Sequence, residues 1–239
     1  MKIHVIKGEI TEQRVDAIVI EVDKQLQCND LNLVGERILL RGGPQAIPEC
    51  ADTMNDPEED LSEGNVVYTS GGNLPCRYVI YMVSPDWKQK EHYITLLRRS
   101  YLESLCVASR LKLCSIAFPD VFFWSHLTNT ARCTEAMLNA VEDFCHLSSS
   151  DEAKNTTLRE VRIVLHFPKT MRMFRKEFAK RYSFQETPTF TPDEEKTELT
   201  ASIGFGEGLS DEQQNHAFKP PTEPQTKIPV SNQISEGRI

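Results

Sequence analysis

The sequence contains no long apolar segment and no excess of basic residues. None of its apolar runs approaches the ~18 residues of a membrane-spanning helix. The opening segment, MKIHVIKGEIT, alternates polar and apolar residues and lacks the apolar core of a secretory signal. The formal net charge is −8, whereas non-specific binding to nucleic-acid phosphates requires a positive face. These absences predict a soluble intracellular protein, cytoplasmic or nuclear, that does not bind membranes.

The cysteines form no recognisable disulfide or metal pattern. There are seven, which is an odd number, and they are widely spaced, without a Cys-x-x-Cys pair or the histidine spacing of a zinc site. The acidic run Glu58 to Asp60 has no convergent ligands nearby of the kind that calcium or magnesium requires. We therefore expect reduced, mostly buried thiols, no metal and no cofactor.

Short β-branched runs alternate with longer helical periods from Met1 to about Phe184. This alternation is typical of an α/β domain in which helices cover both faces of a mixed or parallel sheet. Between Glu91 and Leu111, apolar residues recur at steps of three and four, which predicts an amphipathic helix. The predicted strands are Ile3 to Lys7, Ala17 to Val22, Val66 to Thr69, Tyr78 to Val83, Cys114 to Phe118 and Val161 to Phe167.

The composition changes after Phe184. Six of the 13 prolines lie in that last part of the chain, among Glu, Thr, Gln and Ser residues. A segment with so few apolar residues buries too little surface to offset the entropy that is lost on ordering. We therefore predict one folded domain over residues 1–185 and a disordered, acidic, proline-rich tail over residues 186–239.

Four motifs within the first 185 residues carry a family resemblance. They are VIKGEIT (5–11), VDAIV (15–19), NLPCRYVI (73–80) and SIAFP (115–119). In wording, order and spacing they resemble macrodomains, which are ADP-ribose-binding modules, and LPCRYVI looks most like the macrodomains of vertebrate multi-macrodomain ADP-ribosyltransferases. The resemblance implies a three-layer α/β/α fold with a mixed central sheet and a ligand cleft closed by two glycine-rich loops.

The first part of the implied cleft departs from the family pattern. After VDAIV the family's Asn-Ala-Ala-Asn is replaced by Ile20 to Asp23. The second asparagine donates a hydrogen bond to the distal ribose in the family, whereas ionised Asp23 only accepts. Losing that donor and adding a negative charge near a diphosphate each cost on the order of 1 to 3 kcal/mol. The first loop, residues 27–33, contains no glycine to wrap a diphosphate and adds the charge of Asp30.

The second loop departs from the family pattern by carrying larger side chains. Where the family continues SIAFP with a glycine-containing loop, this chain places three consecutive aromatic residues: Phe122, Phe123 and Trp124. Each ring carries ~150 to 250 Å² of surface. The three rings are expected either to fill the diphosphate and distal-ribose part of the cleft or to form an exposed patch at its mouth.

The adenine end of the implied cleft retains its residue types. In the family the acidic residue of Gly-Asp-Ile-Thr accepts a hydrogen bond from the adenine amino group, and Glu9 is a carboxylate at that position. The resemblance also implies that Ile10 lines the base. The alternative is that residues 8–11 form a turn that is kept for folding.

A basic segment lies near the end of the predicted domain. The run KTMRMFRKEFAKR, residues 169–181, carries six basic residues and one acidic residue, with Met171, Phe174 and Phe178 at helical spacing. The simple interpretation is a packed helix with a solvated basic face. The alternatives are a surface for nucleic acid, an acidic peptide or poly-ADP-ribose, or for the acidic tail of the chain itself.

Together these observations favour a degenerate macrodomain that acts as a non-catalytic interaction module with lost or weakened ADP-ribose binding. In this hypothesis the chain is not an enzyme and has no catalytic residue. Its vestigial cleft comprises Glu9, Ile10, Asp23 and the three aromatic residues, and a protein partner binds at those aromatics or at the basic helix. The first alternative is a reader of ADP-ribose or an adenine nucleotide through a rebuilt pocket. The second is an ADP-ribosyl hydrolase.

Overall fold

The computed structural model describes residues 1–24, 33–43, 63–83, 90–120, 130–147, 156–183, 185–191 and 194–204. The predictions for Phe122, Phe123, Trp124, most of the first loop and the tail beyond residue 204 lie outside these ranges.

The described strands form one eight-stranded mixed sheet in the order β3-β4-β2-β5-β6-β1-β8-β7. The four neighbouring pairs β4-β2, β2-β5, β5-β6 and β6-β1 are parallel, and the remaining pairs are antiparallel. The strands are β1 Lys2–Lys7, β2 Ala17–Val22, β3 Val66–Ser70, β4 Tyr78–Val83, β5 Ser115–Pro119, β6 Glu160–Leu165, β7 Gln185–Thr191 and β8 Glu194–Ser202.

Helices cover both faces of this sheet, which confirms the predicted α/β/α layering around a mixed sheet. The helices are α1 Leu33–Gly42, α2 Lys90–Arg110, α3 Thr130–Leu147 and α4 Pro168–Arg181, with a short 3-10 helix at Ile10–Glu12. On one face, Ile18, Ile20 and Val22 of β2 pack with Ile38 of α1. Because side chains alternate along a strand, the residues between them point to the opposite layer. None of the described helices is both long and apolar enough to cross a membrane.

Asp16 of the VDAIV motif connects two strands of the sheet through hydrogen bonds. Its Oδ2 accepts hydrogen bonds from the backbone N–H groups of Cys114, at 2.7 Å, and Ser115, at 3.1 Å. The backbone N–H of Asp16 in turn donates to Oγ of Ser115 at 2.9 Å. These bonds join the beginning of β2 to the beginning of β5 across a large sequence separation. Asp16, the second residue of the VDAIV motif, therefore has a structural role in this chain.

The hairpin of β7 and β8 extends the sheet past the expected start of the tail. β8 pairs antiparallel with β1, from Lys2 opposite Ser202 to Ile6 opposite Glu198, and β7 pairs with β8. Nδ1 of His4 lies 2.6 Å from the Glu198 carboxylate. The composition argument weighed only apolar content, whereas backbone hydrogen bonding to an open strand edge also stabilises a polar strand. The predicted boundary at residue 185 therefore moves beyond residue 202.

The cysteines in the described part of the chain are free, as expected. Burial raises the pKa of the Cys76, Cys106 and Cys145 thiols to about 11, so these groups stay protonated near neutral pH. Cys114 departs from the expectation of mostly buried thiols because it is exposed. Cys145 is buried and Cys76 and Cys106 are half-buried. A protonated thiol is a poor nucleophile, so these three cysteines act as small apolar side chains.

Gly71 lies in the turn between β3 and β4, where a side chain has no room. A Cβ at this position would lie 2.2 Å from the carbonyl oxygen of Cys76. We expect Gly71→Ala to lower the free energy of unfolding by about 1–3 kcal/mol, because the backbone must shift to relieve the overlap. Urea denaturation followed by circular dichroism measures this loss. Gly204→Ala is the matched control, since its Cβ would meet no atom within 4 Å; an equal loss in both variants contradicts the steric explanation.

Candidate functional site

A cleft of about 190 Å³ opens at the carboxyl end of the sheet, between the ends of β1, β5 and β6 and the side of α1. Ligands of open α/β sheets bind in the crevice outside the carboxyl ends of the parallel strands. The lining residues are Gly8, Glu9, Ile10, Thr11, Val34, Arg37, Pro119, Asp120, Val164, His166 and Phe167.

The apolar part of the cleft comes from three elements. Ile10, in the 3-10 helix after β1, is 4% exposed and belongs to the core cluster, so its position is fixed by packing. Val34 of α1 packs against the same cluster. Phe167 keeps 41% of its surface exposed, and its ring stands edge-on to that of His166 with the centroids 5.1 Å apart. An exposed aromatic ring beside a buried aliphatic wall suits a flat ligand.

The polar part of the cleft centres on one carboxylate oxygen. Nη1 of Arg37 donates to Oε1 of Glu9 at 2.9 Å, and Nδ1 of His166 lies 3.3 Å from the same oxygen. One turn further along α1, Nη1 of Arg41 donates to Oγ1 of Thr11 at 2.8 Å. Two guanidinium groups of α1 therefore lie over the segment that follows β1. They place positive charge beside the negative charge of Glu9.

A second polar cluster lies in the opposite layer, at the same end of the sheet. Glu21 is 5% exposed and Asp120, which also lines the cleft, is 4% exposed, and Tyr93 and Tyr101 of α2 are buried in the same cluster. Burial is the main cause that raises the pKa of both phenols, and the charge of Glu21 adds to it. The phenols therefore stay protonated at any physiological pH. They therefore do not act as bases in this cluster.

The predicted cleft residues have different positions in the structure. Glu9 and Ile10 both line the cleft. Asp23 follows the last residue of β2 at the same end of the sheet and is half-buried, but it does not belong to the lining set. Phe122, Phe123 and Trp124 lie outside the described residues.

Sequence reasoning missed Arg37, His166 and Phe167. The predicted strand ran to Phe167 and so included His166 and Phe167, whereas β6 ends at Leu165 and both residues follow it, where cleft residues of such sheets are found. Arg37 had no comparable signal. Its contact with Glu9 spans 28 positions of sequence, and an exposed arginine on a helix does not indicate which neighbour it meets.

Within the described ranges, no group of three or more His, Cys, Asp or Glu side chains has an arrangement that could hold a metal ion. The described lining of the cleft offers two carboxylates, a guanidinium group, an imidazole and an apolar wall.

Comparisons with known proteins agree with this architecture. A family model described as "Macro domain" matches residues 30–122. A macro domain-containing protein of Caldanaerobacter subterraneus is 33% identical over 178 residues, which are 74% of this chain and 95% of that protein. An O-acetyl-ADP-ribose deacetylase of Citrobacter rodentium is 33% identical over 152 residues, covering 63% of this chain and 84% of that enzyme. The solved Oceanobacillus iheyensis macrodomain with ADP is similar in fold, with a TM-score of 0.64 at 24% identity over 74% of this chain and 89% of that one.

These relatives correct two expectations. The expectation of a chain that is not an enzyme is contradicted, because bacterial relatives at 33% and 34% identity are named O-acetyl-ADP-ribose deacetylase. The narrower resemblance to vertebrate multi-macrodomain ADP-ribosyltransferases gains no support, since the similar curated proteins found are bacterial. Catalysis had been judged only from the two loops and from the replacement of an asparagine by Asp23.

The Arg37–Glu9 ion pair is expected to contribute little to stability. The side chains are 52% and 30% exposed, and exposed pairs are worth about 0.2–1 kcal/mol. Arg37→Met is therefore expected to lower the free energy of unfolding by less than about 1 kcal/mol in urea denaturation. Arg98→Met is the control, because Arg98 makes two hydrogen bonds of 2.6 Å to Asp143 in a less exposed setting.

The control variant should lose about 1.5–3 kcal/mol, the range for hydrogen bonds to charged groups. A loss in Arg37→Met as large as that in Arg98→Met would show that the pair at the cleft holds the fold together.

Proposed function

This chain belongs to the macro domain family, and on that basis we propose that its cleft binds ADP-ribose with the adenine ring beside Ile10 and Phe167. The carboxylate of Glu9 accepts a hydrogen bond from the adenine amino group in this arrangement. The observation that carries the proposal is the presence of Glu9 and Ile10 together in one cleft at the carboxyl end of the sheet.

The composition of the cleft supports a nucleotide over a purely apolar ligand. Small-molecule sites are mostly apolar with a few polar groups that fix orientation, and here the apolar wall of Ile10, Val34 and Val164 stands beside the Glu9 and Arg37 pair. Phe167 supplies an exposed aromatic ring on which a base can stack. Bases stack on aromatic side chains at about 1–3 kcal/mol each.

The diphosphate contributes less to affinity in this proposal than a glycine-rich loop would allow. The support is in the sequence, where residues 27–33 contain no glycine and Asp23 adds a carboxylate. The guanidinium groups of Arg37 and Arg41 lie over the cleft segment after β1 and partly offset that negative charge. The proposal is thus a reader in which the adenosine end dominates binding.

Isothermal titration with ADP-ribose tests this function, with Glu9→Ala as the decisive variant. We expect the wild-type chain to bind and Glu9→Ala to bind about 10- to 100-fold more weakly, because a hydrogen bond to a charged group is worth about 1.5–3 kcal/mol. Glu12→Ala is the matched control. Glu12 lies in the 3-10 helix that follows Glu9, but its side chain is 65% exposed and does not line the cleft.

Two results oppose the proposal in different ways. The absence of binding to the wild-type chain removes the function altogether. If the wild-type chain and Glu9→Ala bind ADP-ribose with equal affinity, the role assigned to Glu9 is wrong but the binding function is not contradicted.

A second candidate function is hydrolysis of an acyl ester on ADP-ribose. The specific observation in its favour is the name O-acetyl-ADP-ribose deacetylase carried by relatives at 33% and 34% identity. Ester hydrolysis needs a base to activate water. Asp23 follows β2 at the end of the sheet where the cleft opens, and the resemblance to macrodomains aligns it with the residue that helps to place the scissile bond. We therefore assign the base role to Asp23.

Asp23→Asn separates catalysis from binding. We expect it to lower the rate of acetate release from O-acetyl-ADP-ribose by about 10²- to 10⁴-fold, the usual contribution of a general base. ADP-ribose affinity should stay equal or rise, because a negative charge near the diphosphate is removed. Glu103→Gln on α2 controls for net charge, since Glu103 pairs with Arg110 away from the cleft. Acetate release by the wild-type chain no faster than the uncatalysed reaction rejects this candidate.

A further inference from the structure

Glu9 and Arg37 together present an acceptor beside a donor at the cleft. Oε1 of Glu9 and Nη1 of Arg37 are 2.9 Å apart, and both residues line the same cleft although they come from different elements. Glu9 lies just before the 3-10 helix, whereas Arg37 projects from α1. The pair therefore forms a small polar edge next to the apolar wall.

Both partners keep capacity for a ligand after they have paired. An ionised carboxylate has about four acceptor sites and a guanidinium has five N–H donors. The hydrogen bond between Nη1 and Oε1 uses one site on each side chain, and His166 Nδ1, 3.3 Å from the same oxygen, covers at most one more site on Glu9. The side chain of Arg37 is 52% exposed, which leaves its remaining donors accessible from the cleft mouth.

The donor and acceptor order of this edge matches one edge of adenine. Adenine presents its N6 amino donor next to its N7 acceptor, and the carboxamides of Asn and Gln read that pair with one acceptor and one donor. Glu9 and Arg37 offer the same two functions, but on two side chains and with charge. Hypoxanthine and guanine carry an O6 acceptor in place of the amino donor, which would face the Glu9 carboxylate and be repelled.

We propose that Arg37 is a specificity-determining residue that donates to N7 of the adenine ring while Glu9 accepts from the N6 amino group. The proposal rests on the function proposed above and adds a residue and a base preference to it. The ring then lies along the wall formed by Ile10 and Phe167, with its N6 and N7 edge toward α1. Ligands with the same ribose and phosphates but without N7, or with an O6 carbonyl, lose affinity.

The competing explanation is an ion pair that only joins α1 to the segment after β1. Such a pair would affect stability, or the affinity of every ligand equally. It would not make the effect of an Arg37 substitution depend on whether the ligand has a nitrogen at position 7. The ratio of affinities for two ligands that differ only at this atom therefore separates the two roles.

The experiment is isothermal titration of the whole chain with three ligands: ADP-ribose, 7-deaza-ADP-ribose and inosine diphosphate ribose. For the wild-type chain we expect ADP-ribose to bind about tenfold more tightly than either analogue, the effect of one charge-assisted hydrogen bond at a partly exposed site. Arg37→Met should bring the ratio between ADP-ribose and its 7-deaza analogue close to one. Arg37→Lys, which keeps one charged donor group, should restore part of that ratio.

Glu9→Gln tests the other half of the edge. Its amide can donate to the O6 carbonyl of inosine diphosphate ribose as well as accept from an amino group. The preference for ADP-ribose over this analogue should therefore fall towards one in Glu9→Gln, while the preference over the 7-deaza analogue remains.

Each result decides the inference. Equal affinities of the wild-type chain for ADP-ribose and its 7-deaza analogue overturn it, and this measurement needs no variant to fold. A preference that persists unchanged in Arg37→Met, whose melting temperature confirms folding, also overturns it. In both cases ADP-ribose binding itself stands. A wild-type chain that binds none of the three ligands rejects the proposed function, and the inference is rejected with it.

Discussion

The level alignment of the parallel strand ends is the constraint on which the cleft depends. Lys7 of β1 lies opposite Leu165 of β6, and Pro119 of β5 lies opposite Val164. The next residues of the three strands therefore leave the sheet side by side. Since these are the positions that line the cleft, a shift of one residue in the register of β6 would exchange the layers to which its side chains point.

Electrostatics divide this end of the sheet into two environments. In the cleft, the charges of Glu9 and Arg37 and the imidazole of His166 remain partly exposed, so water reaches them and they stay available to a ligand. In the opposite layer, Glu21 lies buried beside phenols whose pKa is raised. The first arrangement suits recognition, which needs groups that can exchange partners. The second lies away from solvent, where the phenols stay protonated.

The sequence was sufficient to predict the parts of the fold that are determined by local pattern. The six predicted strands correspond to β1 to β6, because alternation and β-branched content report directly on a buried sheet. The final hairpin escaped this reasoning, since β8 is stabilised by hydrogen bonding to β1, which lies almost 200 positions earlier in the chain. Its partner, and not its composition, determines its structure.

The site was predictable to the same limited degree. Glu9 and Ile10 were found through a motif of adjacent residues, and the strand that precedes them fixes where they lie. Arg37 was not, because its contact depends on how α1 lies across the strand ends. His166 was missed as well, although it follows β6 directly and its Nδ1 lies 3.3 Å from the Glu9 carboxylate. Contacts between distant segments are the information that residue patterns do not carry.

The β7-β8 hairpin also determines which strand forms the edge of the sheet next to β1. Without β8, the edge of β1 would offer unpaired backbone groups on a strand whose Ile3 and Val5 are fully buried, which is a template for self-association. On this side of the sheet the edge strand is instead β7, and Pro188 within it has no N–H to donate. A chain shortened at residue 184 would expose the edge of β1, which can pair with other chains. Resistance to self-association therefore depends on a segment remote from the cleft.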